Sequence, residues 1–147
     1  MSRLYFAYGS NMKRSRLEDG RVGEVADHGV TTLKDYRIAF NKQSTDGTGK
    51  TNLMPTEQQD VLGVLYGLSD EQLKTLDGIE NGYVRIPLSI EVEGKATEVQ
   101  TYVALEERIN NDLLPTAEYL GYLIDGAVEH NFPTEYQEFL KGFEVCK

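Results

Sequence analysis

The sequence predicts an α+β fold: a small, mixed and strongly curved sheet, or a partly closed barrel, with helices packed outside it. Strand-like patterns dominate residues 3–105, and helical periodicity closes the chain after residue 115. No linker, internal repeat or low-complexity tract interrupts the 147 residues. We therefore expect a single domain over 1–147, long enough to bury a core without disulfides.

The first element is an apolar segment that ends in a small-residue turn. Residues 4–8 lack in-and-out alternation, which predicts a strand buried on both faces. Gly9-Ser10-Asn11 then favours a tight turn, and Arg14, Arg16 and Leu17 have the spacing of a short helix. Such a turn exposes several backbone N–H groups that suit an anionic or carbonyl oxygen. An ordinary strand–turn–helix without a ligand fits the same residues.

The next segments predict strands around a loop. An irregular strand over 22–32 and a regular one over 36–40 precede residues 41–50, whose lack of large apolar side chains predicts an exposed, mobile loop. Gly49-Lys50-Thr51 resembles the end of a phosphate-binding loop. The first glycine of that motif falls on Ser44, however, and Pro55 would interrupt the helix that must follow. We therefore expect no nucleotide binding there.

The second half predicts a strand, a helix and a hairpin. Residues 60–68 read as a central strand, and Ser69 with Gln72 forms a capping box that starts a helix ending near Glu80. Alternation over 84–92 and 98–105 predicts a hairpin, with Pro87 indicating an edge strand or a bulge. Two helices follow, over 116–131 and from a capping box at 134–137 through residue 143.

Composition excludes several classes of function. The formal net charge is −9, from 24 acidic and 15 basic residues without a basic stripe, so nucleic acid and anionic membranes are not expected partners. Cys146 is the single cysteine, which excludes a disulfide framework and a thiol metal cluster. No apolar segment has the length of a signal peptide or a membrane span. We therefore expect a soluble, cytoplasmic protein, and no pattern predicts its oligomeric state.

Several motifs resemble the γ-glutamylcyclotransferase-like family, which includes AIG2-like proteins. They are Tyr-Phe-Ala-Tyr-Gly-Ser-Asn-Met at 5–12, Leu-Asp-Gly-Ile-Glu at 76–80, Pro-Thr-Ala-Glu-Tyr at 115–119, Gly-Ala at 126–127 and Phe-Pro-x-x-Tyr at 132–136. The resemblance implies a mixed, barrel-like sheet with a pocket at one end. It also implies release of 5-oxoproline from a γ-glutamyl amide, amine or peptide, a small-molecule substrate, and no metal or cofactor.

The same resemblance implies the site residues. Glu80 corresponds to the catalytic acid/base, although the glycine that usually follows is Asn81 here, with Gly82 one place later. Tyr119 corresponds to a tyrosine that hydrogen-bonds the substrate, and Tyr122 is its rival one helical turn on. The implied substrate-binding residues are Tyr5, Phe6, Ala7, Tyr8, Gly9, Ser10, Asn11 and Tyr119. A side chain at Gly9 is expected to damage binding more than stability.

Other reactive residues are interpreted as idle or structural. Ser10 lacks a G-x-S-x-G elbow and a histidine partner, His28 and His130 stand alone, and Cys146 lies at a terminus. A non-catalytic binder of γ-glutamyl metabolites is the alternative function. The leaving group stays open among amino acids, amines, glutathione-like peptides and a biosynthetic intermediate. We expect residues 41–50 and 106–114 to form its part of the pocket.

Overall fold

The computed structural model describes residues 2–146 and contains one five-stranded sheet. Its strand order is β2-β3-β1-β5-β4, and the pairing is antiparallel except between β1 and β5. The strands are β1 (Ser2–Ala7), β2 (Ala26–Gln43), β3 (Gly49–Ser69), β4 (Tyr83–Val92) and β5 (Lys95–Ala104). The predicted α+β class with a mixed sheet is confirmed, and the sheet is open, with β2 and β4 at its edges.

Helices and short helical turns complete the fold. The helices are α1 (Arg14–Leu17), α2 (Asp70–Ile79), α3 (Ala117–Glu129) and α4 (Thr134–Lys141). The turns are the 3₁₀ turns Ser10–Met12 and Glu106–Arg108 and the irregular turn Glu18–Val22. None of the helices within residues 2–146 is long and apolar enough to cross a membrane.

Strand β1 lies at the centre of the sheet, as its sequence predicted. Tyr5, Phe6 and Ala7 are all buried, because β3 flanks the strand on one side and β5 on the other. The chain then turns at Gly9, whose carbonyl accepts a hydrogen bond from the amide of Met12. This turn therefore starts at the buried end of the central strand.

Strand β2 corrects two predictions. The strands predicted over 22–32 and 36–40 are wrong in their bounds, because residues 22–25 precede the strand and Ala26–Gln43 form one long, bent strand. Its register against β3 shifts at three places, and one of them lies at Asp35, whose φ is +66°. The predicted mobile loop over 41–50 is also wrong, because Asn41 and Lys42 are buried at 3% and 6% exposure and only 44–48 form the turn. Lys42 borders a polar cavity, and the Asn41 side chain donates a hydrogen bond to Asn111. Gly49-Lys50-Thr51 begins β3 and opens no helix.

Local signals located the other elements well. The capping box of Ser69 and Gln72 is present, and Leu73 and Leu76 are the buried residues of α2. The β4–β5 hairpin turns at Glu93 and Gly94, which both have positive φ as a type I′ turn requires. The predicted capping box of α4 is absent. The residue that caps the helix is Pro133, and the side-chain amide of Gln137 donates to the carbonyl of Phe132.

Candidate active site

Two connected chambers lie where β1 ends. The inner chamber has a volume of about 30 Å³ and the outer chamber about 220 Å³. Four residues border both: Ser10, Glu80, Tyr83 and Tyr119. The inner chamber is otherwise lined by Tyr5, Tyr8, Gly9, Asn11, Thr51 and Tyr102. The inner chamber therefore has room for one small group, and the outer chamber for a longer part of a ligand.

Glu80 lies at the junction of the chambers, immediately after α2. Its amide donates the last hydrogen bond of the helix, to the carbonyl of Leu76, and the helix ends at Glu80, whose ψ of 66° is not helical. The Asn11 side-chain amide donates to Oε1 at 3.1 Å, and an Arg21 guanidinium nitrogen lies 3.9 Å from the same oxygen. The carboxyl side chain is 17% exposed, so it is largely removed from water.

Burial raises the pKa of the Glu80 carboxyl above its usual range. Arg21, the hydrogen bond from Asn11, and Lys42 and Arg16 oppose that rise. Because the group also follows the C-terminus of α2, the helix dipole disfavours its negative charge. The carboxyl is therefore a stronger base than a free glutamate, and its protonated form is correspondingly more accessible.

Asn11 connects the carboxyl to strand β1. Its buried side-chain amide donates both to Glu80 and to the Tyr5 hydroxyl, the latter at 3.0 Å. Burial raises the pKa of Tyr5, so it stays a neutral phenol beside the acid. The turn that carries Asn11 thus fixes Glu80 relative to the sheet.

Tyr119 reaches the site from α3. Its hydroxyl lies 2.9 Å from the Thr51 hydroxyl and accepts a hydrogen bond from the Thr51 amide at 3.2 Å. The carbonyl of the same threonine accepts from the Tyr83 hydroxyl at 2.7 Å. Tyr122 borders neither chamber and packs against the Arg16 guanidinium at 4.5 Å. Of the two rival tyrosines, only Tyr119 therefore faces the cavity.

The position of Arg21 depends on the irregular turn before β2. Glu18 accepts hydrogen bonds from the Arg14 side chain and from the amide of Val25, which closes this turn. Gln72 of α2 donates to the carbonyls at 22 and 24. The turn is therefore attached to the same helix that positions Glu80.

The structure brings most of the implied residues together. Phe6 and Ala7 do not line either chamber, because both side chains are buried in the core, and the Phe6 ring packs over Gly63. The other residues named from the sequence all line a chamber: Tyr5, Tyr8, Gly9, Ser10, Asn11, Glu80 and Tyr119. Sequence reasoning missed Thr51, Tyr83, Tyr102 and the basic side chains described below, since no motif identifies them.

Gly9 lines the inner chamber, but a side chain at this position would point at Thr51 and not into the open cavity. A Cβ atom at this position would lie 2.2 Å from the Thr51 hydroxyl and 3.3 Å from its Cβ. The first distance is well below van der Waals contact, and the atom it involves is the one that bonds Tyr119. Packing against Thr51 is therefore a structural reason for glycine at this position, in addition to the substrate binding that the sequence led us to expect.

We expect Gly9→Ala to lower both thermal stability and catalytic efficiency, because the new methyl must displace the Thr51 side chain or the turn. The Thr51→Ala variant removes the clashing hydroxyl. The double variant should consequently be less destabilised than the two single losses added together. Thermal unfolding of all four proteins measures this coupling, and simple additivity would contradict the packing explanation.

Residues outside the chambers have structural partners. His130 lies between the Asp27 carboxylate, at 2.7 Å, and the carbonyl of Gly126, at 2.9 Å, as expected for a structural histidine. His28 is exposed on β2. Within residues 2–146, no three histidine, cysteine or acidic side chains are grouped as metal ligands.

Known proteins resemble this chain over nearly its whole length. The family model for gamma-glutamyl cyclotransferase, AIG2-like, matches residues 5–121. The γ-glutamylcyclotransferase of Homo sapiens is 32% identical over 151 residues, covering 96% of this chain and 78% of the human protein. The Bos taurus γ-glutamylcyclotransferase is 29% identical with the same coverage. A solved gamma-glutamyl cyclotransferase superposes with a TM-score of 0.88 at 28% identity, covering 100% of this chain and 90% of that one.

Proposed function

Because this chain belongs to the γ-glutamyl cyclotransferase, AIG2-like family, we propose that it works with Glu80 as its general acid and base. Its activity is that of a γ-glutamyl cyclotransferase, an enzyme that releases 5-oxoproline from a small γ-glutamyl molecule. The observation that carries the proposed role is the largely buried Glu80 carboxyl, held by Asn11 beside the turn after β1.

The reaction requires one carboxyl group in two protonation states. The substrate α-amine, in its neutral form, attacks the γ-carbonyl carbon to close the five-membered ring, and its nitrogen passes the proton that it must lose to the Glu80 carboxylate. The bond from that carbon to the leaving nitrogen then breaks, and the proton passes from Glu80 to the departing amine. A raised pKa suits both halves of this transfer, since it strengthens the base and keeps the proton available.

Orientation supplies the rest of the catalysis. Both reacting groups belong to one molecule, so the enzyme does not have to bring two molecules together, and the chambers need only hold the substrate bent with its amine facing the γ-carbonyl carbon. In the 3₁₀ turn after Gly9, the amides of Ser10 and Asn11 have no partner within the turn, and both residues line the inner chamber. They are suited to hold the carbonyl oxygen as it gains charge.

The Tyr119 hydroxyl is proposed to contact the substrate. It borders both chambers, and burial raises its pKa, so it is a neutral donor and acceptor at physiological pH. The Thr51 contacts hold this hydroxyl in one orientation. We also infer a cytoplasmic location, with neither nucleic acid nor membrane as a partner, since the chain is strongly acidic and carries one cysteine.

The direct test is product analysis. Incubation with γ-glutamyl amino acids, γ-glutamylamines and glutathione should yield 5-oxoproline, detected by mass, from at least one of them. Measurable binding of these compounds without any 5-oxoproline would instead favour a non-catalytic binder.

A further inference from the structure

The outer chamber has an unusual charge for this protein. Its lining contains the cationic side chains Arg16, Arg21, Lys42, Lys50 and Arg108 against the single carboxylate of Glu80. The whole chain has only 15 basic residues and a net charge of −9. One third of its basic residues therefore surround one cavity, while the chain as a whole is acidic. Such an arrangement focuses a positive potential into the cavity.

Most of these cations have no acidic partner. Arg21 lies 3.9 Å from Glu80, but within residues 2–146 no carboxylate lies within 4.0 Å of the charged nitrogens of Arg16, Lys42, Lys50 or Arg108. Asp46 and Glu118 influence Lys50 only from beyond that distance. Buried or half-buried cations are ordinarily paired, so a set of cations without acidic partners around one cavity is typical of an anion-binding site.

Aromatic rings hold three of the cations in place. The Lys50 ammonium lies 4.2 Å from the centre of the Tyr119 ring, and the Lys42 ammonium lies 4.8 Å from that of Tyr83. The Arg16 guanidinium stacks on a ring outside the chambers, and its Nε is buried without a hydrogen-bond partner. Cation–π contacts of this kind orient a positive charge without neutralising it. The cations are thus pre-organised for an anionic ligand.

Backbone contacts join the other walls of the chamber. The end of β2 forms a bridge from Lys42 to Ile109, beside Arg108. Gly82 packs against the same lysine: a Cβ atom added at Gly82, where φ is +84°, would lie 3.0 Å from the Lys42 ammonium. Burial and the neighbouring Arg108 lower the pKa of Lys42, which reflects the crowding of positive charge. The segments expected to surround the leaving group, 41–50 and 106–114, therefore both contribute cations.

The number of charges distinguishes between leaving groups. At neutral pH the α-carboxylate and the α-ammonium of a γ-glutamyl group cancel each other, so only Glu80 balances one of the five cations. A neutral leaving amine would leave four unbalanced, and an ordinary amino acid would leave three. We infer that the outer chamber binds the leaving part of the substrate and selects amines that carry two or more negative charges. This inference rests on the proposed function, which locates the scissile bond beside Glu80.

The matched substrates γ-glutamylglutamate and γ-glutamylglutamine test the inference, because they have nearly the same shape and differ by one charge. We expect the catalytic efficiency, kcat/KM, to be at least tenfold higher for γ-glutamylglutamate at low salt. Dissolved ions screen charges that solvent can reach. The ratio of the two kcat/KM values should therefore shrink between about 0.05 M and about 0.5 M NaCl. γ-Glutamyl-phosphoserine provides a third arm: faster turnover than γ-glutamylglutamate assigns the chamber to a phosphate, and slower turnover assigns it to a second carboxylate.

Variants locate the effect. Lys50→Met and Arg108→Met should each reduce the preference for γ-glutamylglutamate several-fold. Lys74→Met on the exposed face of α2, which borders neither chamber, should leave the preference unchanged. Equal efficiencies for the two substrates in the wild-type protein would overturn the inference and leave the proposed function intact. If no substrate yields 5-oxoproline, calorimetry still decides: tighter binding of γ-glutamylglutamate supports anion selection, and equal binding refutes it.

Discussion

Glu80→Gln is expected to lower kcat/KM for 5-oxoproline release by about a thousandfold at neutral pH, within the usual range for loss of a general acid or base. Glutamine keeps nearly the same shape and can still accept the hydrogen bond from Asn11, so the site should stay assembled. It cannot accept the proton of the α-amine or return it to the leaving nitrogen. Steady-state kinetics with mass detection of 5-oxoproline measures the loss.

The matched control is Glu71→Gln, which makes the same change of charge on the exposed first turn of α2. It should retain wild-type kinetics. If Glu80→Gln also retained them, Glu80 could not be the proton carrier, whatever its surroundings.

Glu80→Gln is also expected to change the stability of the fold, and the raised pKa of Glu80 determines the direction of the change. The folded-state pKa of Glu80 is raised, so its ionisation opposes folding. The cost is full above the folded-state pKa, shrinks as the pH falls from there toward the unfolded-state pKa, and is absent below the unfolded-state pKa. Glu80→Gln should therefore unfold at a higher temperature than the wild type near pH 7. The gap should close at acid pH. This result is expected for a site whose proposed role requires a charge that costs stability.

Asn11→Leu is expected to lower kcat/KM by about ten- to a hundredfold, since a hydrogen bond to a charged group is worth about 1.5–3 kcal/mol. The substitution keeps a branched side chain of similar size but removes the donor shared by Glu80 and Tyr5. That hydrogen bond lowers the pKa of Glu80, so its loss should raise the pKa further. Because the carboxylate must be ionised to accept the proton, the acid limb of the pH profile should move to higher pH.

Asn52→Leu is the control for a buried asparagine outside the chambers. Asn52 accepts a hydrogen bond from the amide of Ala104, so its replacement should cost stability. It should leave the acid limb in place. An unshifted pH profile in Asn11→Leu would show that Asn11 serves the fold and does not tune Glu80.

Elements formed by residues close together in the chain were predicted correctly, whereas elements that depend on distant residues were not. The capping box at Ser69 and the turn at Glu93-Gly94 involve residues a few positions apart, so their patterns predicted α2 and the hairpin correctly. The long strand β2 was predicted in two pieces, because its bend at Asp35 is sustained by pairing with β3. The predicted mobile loop failed for a related reason, since Lys42 is buried against Gly82 and the Tyr83 ring, which lie far away in the chain.

By itself, the sequence determined the α+β class, the turn at Gly9 and the identity of Glu80 as the candidate acid, because each of these is written in a local pattern or a family motif. Only the tertiary structure decided what surrounds that carboxyl. Thr51, Tyr83 and the five cations come from separate strands and turns, and no spacing along the chain relates them. Their common position depends on long-range strand pairing, which brings distant polar residues to one cavity.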